Sequence, residues 1–97
     1  MTVKAIVKTS QYYDSVSLML VARELSQLDG VDDAAVVMAT DANKSILSAS
    51  GLLTEKVSSA SANDLVIAVS AADSELADNA LRTADDLLKG KVVASES

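Results

Sequence analysis

The side chains that could carry out a reaction are few, and the most versatile ones are missing. The 97-residue chain contains no histidine and no cysteine. It therefore lacks the usual general base near pH 7 and both ligands that soft metal ions prefer. Its serines have no histidine to activate them, which excludes a Ser-His-Asp triad. We expect no catalytic residue and no metal site in this chain.

The acidic stretch Asp29–Asp33 does not have the spacing of a calcium loop, which needs ligands at alternating positions and a terminal glutamate. A solvated exit from a helix explains it without a metal. Neither a GxGxxG sequence nor a phosphate-binding loop occurs.

One group of polar residues remains, divided among three segments of the chain. The candidates for ligand or subunit contact are Asp14, Ser15, Thr40, Asn43, Lys44, Asn63 and Asp64. Two helix N-termini with a lysine could bind a small anion or a phosphate-bearing ligand. Alternatively, these residues are ordinary helix caps and turn residues, with Lys44 in solvent. Tyr12 and Tyr13 could belong to such a binding edge or lie half-buried at a helix entrance.

The hydrophobic pattern predicts the elements that position these residues. Strands are expected at 3–8, 34–38 and 65–69, and helices at 15–29, 42–50 and 74–89, where Gly30, Gly51 and Gly90 end them. Ile46 and Leu47 are expected to face inward, and 52–62 to be an irregular, partly anchored connection. Residues 1–90 form one domain, and 91–97 are an edge strand or the start of a linker.

This order fits an α+β fold, a two-layer ferredoxin-like β-α-β-(α)-β-α sandwich with the third strand antiparallel between the first two. The alternative is a small α/β parallel sheet. Lys4 and Lys8 flank Ile6 on one face of the first strand, which a sheet covered on both sides would tolerate poorly in a central strand. We therefore favour the two-layer fold, with that face open.

An open apolar sheet face predicts a contact surface. The residues expected on it are Ile6, Ala35, Val37, Val66 and Ala68. A second copy of the chain or another domain of the same enzyme system would cover it, unless the short helix folds over it instead.

Composition narrows the possible partners. The net charge is −6 and the pI about 4.3, so nucleic acids and anionic membranes are not expected. The absence of cysteine and of an apolar leader predicts a cytoplasmic protein.

Several short motifs together resemble the N-terminal segment of FdrA family proteins. They are Asp14–Met19, Val31–Asp33, Thr40 with Ala42–Lys44 and Leu47, and Asn63–Asp64, in the same order and at similar spacing. The resemblance extends from about Lys4 to Gly90. One departure is Ala39, where a glycine often precedes the threonine, and this puts in doubt a close backbone approach to a ligand there.

FdrA proteins resemble the succinyl-CoA synthetase α subunit and are linked with purine or allantoin breakdown and carbamoyl transfer. The resemblance implies an accessory or assembly domain of an acyl-CoA synthetase-like or carbamoyltransferase system, not catalytic by itself. It implies no cofactor in this chain, with CoA possible only in a longer protein. The alternative is a stand-alone, dimeric sensor of a small anion or phosphate ligand.

Overall fold

The computed structural model describes residues 2–9 and 13–96. The elements are β1 (Thr2–Lys8), α1 (Ser15–Ser26), β2 (Val31–Met38), α2 (Asp41–Ala49), α3 (Glu55–Ser58), β3 (Leu65–Ala71) and α4 (Ser74–Glu96). The strands form one sheet in the order β1-β3-β2, and β3 is antiparallel to both neighbours. The predicted ferredoxin-like α+β fold is confirmed, and the parallel alternative is wrong.

Helices α1 and α4 cover one face of the sheet and form the helix-side core. Leu18, Val21 and Leu25 of α1 pack there with the buried stripe of α4. Ile6, Val36 and Ile67 fill this core from the three strands. The spacing of these three residues, i, i+3 and i+7, is that of one face of an α-helix, and this is the face that α1 buries.

The opposite face is covered too, which corrects the expectation of an open face. Four apolar residues between α2 and the turn after α3 pack against this face and form the loop-side core. They are Leu47, Leu52, Val57 and Ala60. The segment 52–62 is thus anchored to the sheet and contains a short helix. Its buried apolar residues, Leu52, Val57 and Ala60, belong to the loop-side core.

The predicted interface residues consequently divide between different environments. Ile6 lies on the helix side, not with the others. Val66 and Ala68 are completely buried beneath the cover and offer no surface to a partner. Ala35 and Val37 are half-buried on the loop side, and an interface role for them stays a prediction.

The lysines of β1 explain why the expectation failed. Lys4 Nζ lies 2.9 Å from Asp78 Oδ1 of α4, and Lys8 pairs with Asp85, about two helical turns further on. Both lysines therefore point to the helix side of the sheet, where α4 lies. They are tolerated because β1 is an edge strand of the described sheet, so long side chains can reach past its margin to partners on α4.

Two further expectations are corrected. Ile46 is 62% exposed, whereas its neighbour Leu47 is buried as predicted. The last helix does not end at Gly90 but runs to Glu96, so 91–96 is helical and not an edge strand. A single glycine within a helix lowers its stability by about 1 kcal/mol without ending it.

We expect Leu52→Ala to destabilise the chain by about 2–5 kcal/mol, because it removes a buried side chain of the cover and leaves a cavity. Urea unfolding followed by circular dichroism measures this loss. Ile46→Ala, an exposed neighbour on α2, is the control and should change stability by less than about 0.5 kcal/mol. Equal effects of the two substitutions would contradict the cover.

Gly30 gives a second test, at the turn between α1 and β2. Its φ is +81°, and a Cβ there would collide with the Leu76 side chain; Gly51 has φ +76° and open space around it. Gly51→Ala should cost about 1–2 kcal/mol, the left-handed backbone term alone. Gly30→Ala should cost about 1–3 kcal/mol more because Leu76 must also be displaced. Thermal unfolding of the two variants and of the unsubstituted chain measures these losses of stability. A larger loss in Gly51→Ala than in Gly30→Ala would contradict the expected order.

Candidate functional site

The three polar segments lie at the same end of the sheet. Lys8 at the end of β1 and Met38 at the end of β2 both pair with Leu65, the first residue of β3. The Ala39 amide donates to the Asp64 carbonyl at 2.9 Å. We call residues 13–15, 39–44 and 61–64 the polar rim. Residues 10–12, including Tyr12, lie outside the described residues.

Two candidate residues of the polar rim are helix caps. The Asp14 carboxylate accepts from the Ser17 amide at 2.6 Å, and the Thr40 hydroxyl accepts from the Asn43 amide at 3.2 Å. Ser15 is the first residue of α1. These bonds satisfy amides that the first helical turn leaves without an intrahelical partner.

Asn43 and Lys44 bind the chain's own carbonyl groups. Asn43 Nδ2 donates to the Met38 carbonyl at 2.8 Å. Lys44 Nζ donates to the Ser58 carbonyl at 3.1 Å and also to the Ala60 carbonyl. Lys44 is therefore not simply in solvent: it ties α2 to the C-terminal end of α3. The sequence offered no signal for this contact, because it joins residues 14 and 16 positions apart.

The third segment forms a turn into β3. Asp64 is only 9% exposed, and its carboxylate accepts from the Ser61 amide at 3.0 Å. Asn63 beside it is exposed. The polar rim thus holds the backbone together through five of the seven candidate side chains. This supports the interpretation as caps and turn residues, while a ligand or subunit contact stays a prediction.

A concave surface lies beside the polar rim, between α1 and the outer edge of β2. This groove of about 460 Å³ is lined by Tyr13, Leu18, Met19, Ala22, the strand residues 34–38 and Asn43. None of these residues carries a formal charge at pH 7. Tyr13 is half-buried and packs against the helix-side core, so it contributes both to the helix entrance and to the groove wall.

Sequence reasoning missed this groove, although a signal was present. Met19 of α1 lines the groove. It is apolar but lies off the buried stripe of the helix, and it is 71% exposed. Large apolar side chains outside the core-facing stripe of a helix indicate a second apolar surface.

Comparison with known proteins finds one matching family model and a similar curated protein. A family model described as "AllF, heavy metal-associated domain" matches residues 1–97. The chain is 45% identical over 78 residues to "Uncharacterized protein YahF" of Escherichia coli (strain K12), a match that covers 77% of this chain and 15% of that protein. The chain thus spans less than a sixth of that curated relative. No solved structure matches it.

The residues present do not fit a heavy-metal ion. Soft ions prefer thiolate and imidazole ligands, and the sequence has neither. Within residues 2–9 and 13–96, no three acidic side chains lie close enough to hold a metal. The softest donors are methionine thioethers, and no charged group accompanies Met19 and Met38 in the groove that they line. The description of the family therefore matches this chain in fold rather than in ligands.

The role of Lys44 can be tested by stability. Lys44→Met keeps the length of the side chain but removes its bonds to two carbonyls, and we expect a loss of about 1–3 kcal/mol in the free energy of unfolding. Lys56→Met, on the exposed surface of α3, is the matched control and should change stability by less than about 0.5 kcal/mol. If both variants matched the unsubstituted chain in urea unfolding, Lys44 would have no structural role.

Proposed function

Because this chain belongs to the family of AllF heavy metal-associated domains, we propose that it is a non-catalytic accessory domain that helps a longer enzyme to assemble. Fold membership alone does not assign an activity, so the proposal must come from the site. The site contains caps, a tied lysine and an uncharged groove, and these are parts that hold a chain together or contact another protein surface.

The observation that carries the proposal is the use made of the polar side chains. Asp14, Thr40, Asn43, Lys44 and Asp64 all bond to backbone groups of this chain. A catalytic group must instead present its polar atoms to a substrate. Because these polar atoms are bonded within the chain, the arrangement supports a rigid domain whose surface contacts other parts of an enzyme.

The enzyme system proposed is an FdrA-like acyl-CoA synthetase or carbamoyltransferase of purine or allantoin breakdown. The ordered motifs from Asp14 to Asp64 support this, as does the much greater length of the similar Escherichia coli protein. In that setting the partners are other domains or subunits of the same enzyme, and the location is the cytoplasm. Among the described residues, no helix combines the length and apolar character needed to cross a bilayer.

A stand-alone sensor of anions has less support. The Asp14 carboxylate already occupies the N-terminus of α1, where an anion would bind, and the Lys44 ammonium bonds to carbonyls. The net charge of −6 also opposes the approach of a phosphate.

Ligand binding separates the two functions. We expect CoA, ATP, carbamoyl phosphate and Zn²⁺ to leave the melting temperature of the 97-residue chain unchanged. A ligand at one hundred times its dissociation constant would add about 2.7 kcal/mol of stability and raise that temperature measurably. A shift caused by a phosphate compound and lost in Lys44→Met would favour the sensor and contradict the accessory role.

Assembly itself is tested in the protein encoded by the complete gene that contains these residues. Deletion of residues 1–96, which removes α4 as a whole, should reduce the amount of assembled enzyme, measured by light scattering, and leave kcat of the assembled fraction unchanged. Unchanged assembly with a lost kcat would overturn the proposal.

A further inference from the structure

The first two turns of α1 carry an exposed apolar stripe. Val16, Met19 and Leu20 follow one another at i, i+3 and i+4, and they are 66%, 71% and 45% exposed. The stripe stops at the next turn, where Arg23 and Glu24 are exposed and charged. An apolar stripe with a charged boundary is typical of a contact with another segment of protein.

The stripe lies at the end of the sheet toward which α4 runs. Helix α1 begins at the polar rim. The ion pairs of Lys4 with Asp78 and of Lys8 with Asp85 show that α4 runs in the same direction as β1, toward that rim. Residues 86–96 continue the helix past the second ion pair by about 16 Å. Because α1 and α4 share the helix-side core, polypeptide that follows α4 would emerge beside the start of α1.

The stripe is too small to hold a separate protein. Complexes between separate proteins bury about 800 Å² on each partner, contributed by roughly 20–30 residues. The stripe has three side chains, and Tyr13 and Met38 of the adjoining groove are already half-buried. Two copies of the chain would also each carry a net charge of −6, which opposes their approach. A contact of this size needs an occupant that is held nearby.

A segment of the same polypeptide meets this requirement. A flexible linker holds an attached segment at an effective concentration of the order of millimolar, so that even a weak contact is occupied. The similar Escherichia coli protein is long enough to supply such a segment, since the match covers 15% of it.

We propose that the stripe of Val16, Met19 and Leu20 docks an apolar segment that follows α4 in the longer enzyme. The contact rests on the accessory role proposed above and gives that role a surface. A segment that precedes β1 suits the stripe less well, because Thr2 pairs with Ala71 at the opposite end of the sheet.

Oxidation of Met19 by hydrogen peroxide reports on this contact. Peroxide transfers one oxygen atom to the thioether and is reduced to water, and mass spectrometry detects the sulfoxide. In the 97-residue chain, Met19 should oxidise as an exposed methionine. In the protein encoded by the complete gene it should oxidise about tenfold more slowly, the result for an effective concentration about ten times the dissociation constant.

Ile46→Met is the matched control. Ile46 is 62% exposed on α2, which packs on the loop side of the sheet, so the introduced methionine should oxidise at the same rate in both proteins. Equal rates for Met19 in the two proteins would overturn the proposal. Equal slowing of Met19 and of the control methionine in the complete protein would overturn it as well.

Light scattering separates an attached segment from a second copy. At about 0.1 mM the 97-residue chain should have the mass of one 10.0 kDa chain, since a stripe of this size does not hold separate chains together. A dimer in which Met19 is protected would assign the stripe to a second copy and overturn the proposal.

The deletion of residues 1–96 tests the accessory role separately. Reduced assembly in the deletion variant, together with rapid oxidation of Met19 in the complete protein, would overturn the contact and leave the accessory role. Slow oxidation of Met19 with unchanged assembly would overturn the accessory role and support the contact.

Discussion

The structure depends on the burial of β3 on both of its faces. All seven residues from Leu65 to Ala71 are buried, and the strand is hydrogen-bonded on both sides by antiparallel neighbours. Without a cover on the second face, Val66 and Ala68 of this strand would be exposed to water, which is unfavourable for apolar side chains. The second cover therefore contributes to the stability of the sheet.

The covers on the two faces of the sheet are built from different kinds of segment. The helix side is filled by two long helices with regular stripes. The loop side is filled by a few residues from α2 to the end of α3, held by the caps Thr40 and Thr54 and by Lys44. Polar side chains that resemble a ligand site are needed to hold this short cover in place, since four residues of helix are not stable alone.

Much of the fold could be predicted from local patterns. The caps Asp14 and Thr40 and the strand order followed from spacing and residue type, and all are present. A cover formed by the short helix was predicted only as the alternative to an open face. The contribution of Leu52 and Val57 to this cover was missed because they lie in a segment too short to show a helical or strand period. The contacts of Lys44 were missed for a different reason: they depend on how segments that are distant in the sequence meet in space.

The ion pairs of Lys4 and Lys8 with α4 have a consequence for how far self-association can proceed. A sheet can polymerise only if each added molecule presents a new strand that accepts the next one. Here the side chains of Lys4 and Lys8 lie across the β1 margin of the sheet, paired with α4. This margin is therefore protected from pairing with a strand of another molecule, and a fibre cannot grow along the sheet on that side.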